Sequence, residues 1–448
     1  MSHPVAAALL LFGLVPQEPD APMARYTLAG QPAVVSRTDL AIEMAFHLRR
    51  RDRGRQTAEQ LADTLVTRQA AEQQKLMPST AEAREFWQQL QKQLQDAGQN
   101  PQDFPWVRNS SEAQLLDVLA VQIAQERLVR TELGLGKDEA IGAEMLKLWL
   151  QEQKKKVAVV TDPDRLPAGV AVRVGTQDVP LIELGLLLLR TADDDERDRY
   201  IRQVAYLAVL DHTCKQTGVE VTPGDLDRAL QKRAADAARD PSHGGVSFEN
   251  VLKAQGLTPQ TLRELRTFRG HVQMEKLAQQ RFPLEAMTKE LHQDRQKALE
   301  LVGPRRHLAF VFLNALAEPN AVIKRSFEAA EQQLLASRQR LDKKSFEQVA
   351  RTDSEHPNKQ QGGDAGWHRQ RSDQLPAPVL AAAFQLGVGE VSMPLRSDEG
   401  CFLVKVLAIE PEPADAVLVA RLQEFHSLEL SQQLLKDAAI KITTGTTK

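Results

Sequence analysis

Cysteine, tyrosine and net charge are scarce here: the 448 residues include two cysteines and three tyrosines and carry a formal charge of -3. Cys214 and Cys401 lie far apart in the sequence, which excludes a disulfide framework and leaves both as small core residues. A near-neutral balance gives no general pull towards nucleic acid or an anionic membrane. The longest apolar run, Val5 to Val15, is too short to span a bilayer, so no stable membrane span is expected. The ten histidines show no spacing with cysteines or carboxylates suited to a metal, and neither a metal nor a cofactor is expected. No Gly-x-Ser-x-Gly element or ordered Ser/His/Asp set suggests hydrolysis. Gly134-x-Gly136-Lys137 lacks the hydroxyl residue, the spacing and the preceding strand of a phosphate loop.

Aromatics make up 5% and charged residues 26%, which points to a helix-rich soluble protein of roughly three domains by length. The run Arg49-Arg50-Arg51-x-Arg53-x-Arg55 reads most simply as a solvated helix end. Lys154-Lys155-Lys156 reads as a helix carboxyl terminus complementing its dipole.

The densest signal is Gln361-Gly362-Gly363-Asp364-Ala365-Gly366-Trp367, where three glycines in five residues mark a tight backbone turn. Before it, Arg306 to Phe312 reads as a buried strand and Glu318 to Leu341 as a helix. Ser345 caps a short helix carrying Phe346, Val349 and Ala350. After it come a helix over Pro378 to Phe384, a turn bracketed by Gly387 and Gly389, the segment Val391 to Pro394, and a last apolar strand over Cys401 to Val406.

This ordered set, Arg306-His307-Leu308, Ser354, Gly362-Gly363-Asp364-x-Gly366-Trp367, Gly389-Glu390-Val391-Ser392-x-Pro394 and Ser397-x-x-Gly400, resembles the parvulin family of peptidyl-prolyl isomerases over residues 305–410. The resemblance implies a four-stranded antiparallel sheet wrapped by helices, and cofactor-free isomerisation of X-Pro bonds. It matches the family's first-strand histidine to His307 and its Ser/Thr before the last strand to Ser397. The Cys/Asp position falls on Glu355 or His356, with His356 favoured. Substrate contacts are implied at Ala365, Trp367, Leu375, Val379, Phe384 and Phe402. Two positions depart from the pattern: Phe402 stands where the second family histidine belongs, and Val379 where phenylalanine is usual. His356 and His368 otherwise read as residues of a polar, exposed loop.

Upstream the chain repeats a pattern. Gly30 to Leu40 and Gly175 to Leu184 each follow a strand-like run and open a helical region. Capped helix starts recur at Ser79 and Thr222, and at Ser111 and Thr258. Val172-x-Val174-Gly175, Phe248-x-x-Val251-Leu252 and Leu262-Arg263-Glu264 are similar to the helical chaperone region preceding the parvulin domain in SurA-type and PrsA-type folding factors.

The expected architecture is α+β. Residues 1–23 form a signal peptide or disordered start, 24–156 and 168–302 two repeated helical chaperone modules, 305–410 the parvulin-like domain, and 411–448 a helix and strand packing back on the chaperone region. A dimerisation helix is the alternative for the tail. The run after Met1 suits the apolar part of a signal peptide but lacks a basic flank, so export to the periplasm or cell envelope is the expectation. A buried amphipathic start in a cytoplasmic protein is the alternative. Expected partners are unfolded or extended polypeptides containing X-Pro bonds. The function is then an isomerase and folding chaperone, or alternatively a non-catalytic holdase whose degenerate domain binds peptide.

Overall fold

A computed structural model describes residues 22–136, 139–239, 246–319 and 322–443. The apolar run from Val5 to Val15 lies outside them. The described residues fall into two compact units, one within Met1–Lys276 and Gln432–Lys448, the other Leu277–Ser431. No described helix is long and apolar enough to cross a membrane.

The first unit builds one motif twice. Strands β1 (Pro22–Leu28) and β2 (Gln31–Ser36) form a hairpin that runs into the helix Arg37–Leu48. Ser36 starts that helix with a capping box, its hydroxyl accepting from the Asp39 N–H while the Asp39 carboxylate accepts from the Ser36 N–H. Strand β3 is Val159–Val160, and β4 (Val170–Val174) and β5 (Gln177–Pro180) form the second hairpin, which runs into the helix Leu181–Thr191. Each hairpin gains a third antiparallel strand, β3 beside β4 and β10 (Lys441–Ile442) beside β1. The tail reaches β1 through Ala24 opposite Ile442 and a Thr27 N–H bond to the Ala438 carbonyl at 2.7 Å.

Both halves share one core, in which Leu40, Met44, Leu61 and Leu65 pack with Val172, Leu184, Leu188 and Ile201. The two motif helices meet at Gly185, where an added Cβ would sit 1.9 Å from the Ala41 carbonyl oxygen. Beside this core, His47 accepts from the Arg51 guanidinium at 3.0 Å through Nε2 and faces the Tyr200 hydroxyl at 2.7 Å through Nδ1. Arginine only donates, so Nδ1 carries the ring proton.

Burial first, then the charges of Arg51 and Arg199, push the His47 pKa from 6.5 down to about 4. Between those values the unfolded chain takes up a proton that the folded chain refuses. The contribution of His47 is therefore complete above its unfolded pKa and is lost as pH falls towards its folded one. The expected loss is up to about 3 kcal/mol, read as a falling urea midpoint between about pH 7 and about pH 4.5. His47→Gln should make the fall shallower, and an equally steep fall in that variant would contradict the assignment.

The second unit is built on a four-stranded antiparallel sheet in the order β7-β6-β9-β8: Asp364–His368, Arg306–Asn314, Gly400–Ile409 and Leu395–Ser397. Strand β6 is apolar on both faces. Ala309, Val311 and Leu313 pack with Leu334, Phe346 and Val349 from the helices Phe327–Gln339 and Phe346–Asp353. Leu308, Phe310 and Phe312 pack on the other face with Leu375, Val379, Leu380 and Phe402. The glycine loop is held by Gly363, whose φ of +86° suits glycine and whose added Cβ would lie 2.6 Å from the Phe310 carbonyl oxygen. Met287, Leu291 and Leu301 pack against Leu418 and Leu422 of the helix Asp415–Asp437.

Three local expectations shift. The helix expected from Glu318 begins at Phe327, with Ser326 as its cap, after an isolated bridge between Leu316 and Ser326. Val391 makes only an isolated bridge to Lys405, and pairing proper resumes after Pro394. His368, expected in an exposed loop, is 5% exposed, and its Nε2 donates to the Ala365 carbonyl at 2.7 Å.

Candidate functional site

The sheet face formed by Leu308, Phe310 and Phe312 gathers most of the expected site residues. Phe402 lies directly opposite Phe312 in the β6/β9 register, with ring centroids 4.7 Å apart, and its ring is 5.3 Å from Phe310. Leu375 and Val379, the latter on the helix Ala377–Ala383, close the face, and Ala365 packs at its side. The imidazole of His356 stands edge-on to Phe310 at 5.0 Å and to Phe312 at 6.4 Å. Ser397 pairs with Gly400 and shares its strand face with Leu395, which is paired to Phe402. This assembles an apolar aromatic floor with one imidazole and one hydroxyl on its rim.

The protonation pattern of the rim follows from its bonds. His356 caps the short turn Pro357–Gln361, its Nδ1 accepting from the Asn358 N–H at 3.2 Å. A neutral ring then carries its proton on Nε2, a donor available above the aromatic floor. The Ser397 hydroxyl donates to the Gly400 carbonyl at 3.2 Å and accepts from the Glu399 N–H at 3.3 Å.

Glu355, the other candidate for the Cys/Asp position, is engaged elsewhere. Arg325 donates to it at 2.8 Å, and the Asn314 backbone N–H and side-chain amide donate at 2.8 and 3.1 Å. The Arg325 guanidinium foremost, with Asn314, outweighs partial burial and holds its carboxyl below the usual range. Of the two alternatives, only the His356 side chain reaches the aromatic face.

His307, which the resemblance names together with Ser397, is not part of this group. It lies opposite Trp367 and Ala408, whereas Gly400, the partner of Ser397, lies opposite Asn314. Residues 307 and 314 are separated by roughly 20 Å of extended strand. His307 stacks on Trp367 with centroids 5.2 Å apart and donates to Asp364 at 2.8 Å. Burial pushes the Asp364 carboxyl up, but the Gly366 N–H and His307 outweigh it and hold the pKa low. Phe384 is likewise apart from the floor, lying under the Arg306 guanidinium at 4.9 Å.

The position on β6 that faces Phe402 is Phe312. Sequence reading missed Phe312 and Phe310 as site residues. The only signal they carry is membership of a continuous apolar run, which marks a buried strand without telling its faces apart.

Residues 315–408 match the family model for rotamase, the PPIC-type PPIASE domain. The matched stretch begins after His307. Chaperone SurA of Nitrosococcus oceani is 26% identical over 239 residues, covering 51% of this chain and 52% of that protein. Chaperone SurA of Alcanivorax borkumensis is 27% identical over 282 residues, covering 60% and 61%. The peptidylprolyl isomerase PrsA from Bacillus anthracis covers 54% of this chain and 98% of its own at 20% identity, with a TM-score of 0.30, a level that adds nothing to the fold described above. The chain spans about half the length of the first curated relatives it matches, at 52%, 46% and 50% of their lengths. Residues 315–408 therefore belong to the PPIC-type rotamase, or parvulin, family, within a chain similar to SurA chaperones over about half its length.

Proposed function

We propose that this protein binds unfolded polypeptides and isomerises their X-Pro bonds at the aromatic face of the second unit, acting as a folding chaperone after export. The observation that carries this reading is the convergence of Phe310, Phe312, Phe402, Leu375 and Val379 with His356 and Ser397 on one face. The barrier to X-Pro rotation, ~18–20 kcal/mol, comes from amide resonance. Planar amide carries more charge separation than twisted amide, so an apolar bed that replaces water favours the twisted form. In this reading the proline ring rests over the edges of Phe312, Phe402 and Leu375, with Ala365 as a side wall and the buried Val379 supporting the face from beneath. The His356 Nε2–H supplies a rim hydrogen bond to the substrate amide, and the Ser397 hydroxyl can add one only by turning its proton away from the Gly400 carbonyl. Trp367, with His307 stacked on it, and Phe384 flank the chain away from the proline.

A second reading, a holdase with a non-catalytic peptide groove, is favoured by one observation. The register sets Phe402, which stands where the family resemblance implies an imidazole, against Phe312, and Phe402 and Val379 are only 4% and 0% exposed. A protease-coupled assay on Ala-Pro peptides separates the two. The isomerase reading predicts a rate above the uncatalysed one. A rate equal to it, together with suppression of client aggregation, would leave the holdase. Export is tested independently by mass spectrometry of the mature amino terminus.

A further inference from the structure

The arginine run at residues 49–55 is not a solvated helix end. It spans the turn between the helices Arg37–Leu48 and Asp52–Gln74 and the first turn of the second, with Arg49 only 7% exposed. Several members are spoken for: Arg49 pairs with Glu264, Arg50 with Asp164 at 2.9 Å, and Arg53 with Glu196. Arg51 and Arg55 are different. Together with Lys253 they line a cleft of about 290 Å³ in which Asp52 is the one acidic lining residue. Among the described residues, no carboxylate lies within ion-pair distance of Arg51, Arg55 or Lys253.

Three cations facing one cleft repel one another, an arrangement that an incoming anion relieves. The local bonding prepares it. Arg51 is aimed by His47 at 3.0 Å, and Arg55 is anchored through Nε to the Arg50 carbonyl at 2.8 Å, leaving its terminal nitrogens. The 23-residue helix beginning at Asp52 has no side-chain cap on its amino terminus, so its dipole adds positive potential to the same cleft.

We infer that this cleft is a binding site for carboxylate side chains on an extended, acidic segment of a client polypeptide. A chain fits better than a lone ion because the cleft adjoins a second one of about 410 Å³, with Arg55 and Gly256 common to both. Of that neighbour's three acids, Glu59 is engaged by Lys154 at 2.8 Å, Asp164 by Arg50 at 2.9 Å, and Asp162, among the described residues, accepts only from the Asp164 N–H at 3.0 Å, so the carboxylates of the segment are seated at the Arg51, Arg55 and Lys253 end. The inference rests on the chaperone reading and adds to it a preference among clients.

The test is fluorescence anisotropy with the full chain, using a labelled Asp/Glu-rich peptide, its Asn/Gln counterpart and a neutral Pro-containing peptide, with inorganic phosphate as competitor. The acidic peptide is expected to bind at least about tenfold tighter than its amide counterpart, more weakly as salt rises. Arg55→Gln combined with Lys253→Gln should remove that advantage, and Arg55→Lys should keep most of it. Circular dichroism of each variant separates lost binding from lost folding. Equal binding of acidic and amide peptides, or an advantage untouched by the double substitution, would overturn the inference. So would binding of phosphate with none of the acidic peptide. If the neutral peptide still binds in those cases, the chaperone reading survives; if no peptide binds, that reading fails as well.

Discussion

Phe402→Ala is expected to lower the stability of the second unit by about 3–5 kcal/mol. The Phe402 side chain is 4% exposed and fills the space between Phe310, Phe312 and the helix Ala377–Ala383, so truncation leaves a cavity lined by groups that cannot collapse together. Neighbours on both sides are fixed by sheet pairing, since Phe402 is held between Phe312 on β6 and Leu395 on β8. A urea titration followed by hydrogen exchange of the β6 and β9 amides reads the loss. If Phe402→Ala unfolds at the wild-type midpoint, the aromatic floor contributes nothing to the unit and cannot be its organising core.

An equally large effect is expected at Gly185, in the first unit. A Cβ there would meet the Ala41 oxygen at 1.9 Å, its carbonyl carbon at 2.4 Å and its Cα at 3.0 Å. These are backbone atoms of the neighbouring helix, which cannot rotate away as a side chain can. Gly185→Leu must therefore push the helices Arg37–Leu48 and Leu181–Thr191 apart and open the core they share. The expected destabilisation is about 3 kcal/mol or more, enough to reduce soluble yield and lower the midpoint of thermal unfolding. An unchanged midpoint would mean that the two hairpin-and-helix motifs do not depend on that close approach.

What could be read from the sequence was what is encoded locally. The capping boxes at Ser79, Ser111, Thr258 and Ser345 stand where hydroxyl residues precede helical runs, because the cap acts within three residues of itself. The glycine loop was legible for the same reason, since a positive φ at Gly363 is a property of one residue. Register was not legible. Strand β6 is apolar on both faces, so no alternation told which of its residues meets Phe402, and His307 drew attention by its chemistry although Phe312 occupies the place. The merger of the two helical modules into one core was hidden for a further reason. It depends on a close approach of Ala41 and Gly185, residues far apart in the sequence, and a sequence pattern carries no signal for such a distance.

The arrangement also explains why a polar reading of residues 354–368 only half succeeds. Glu355 is drawn away by Arg325 and Asn314, His368 is buried against the Ala365 carbonyl, and His356 alone turns over the phenylalanines. Neighbours in sequence thus serve an ion pair, a loop closure and the candidate site in turn.

The central claim is that proline is handled on the Phe310, Phe312 and Phe402 face and not beside Trp367. Isomerase rates of His356→Ala and His307→Ala, compared in the protease-coupled assay, test it most directly. Loss of one rim hydrogen bond should slow His356→Ala by about tenfold, with His307→Ala staying near the wild-type rate. The reverse ranking, with His307→Ala slow and His356→Ala unchanged, would place the reaction at the other end of β6 and contradict the account.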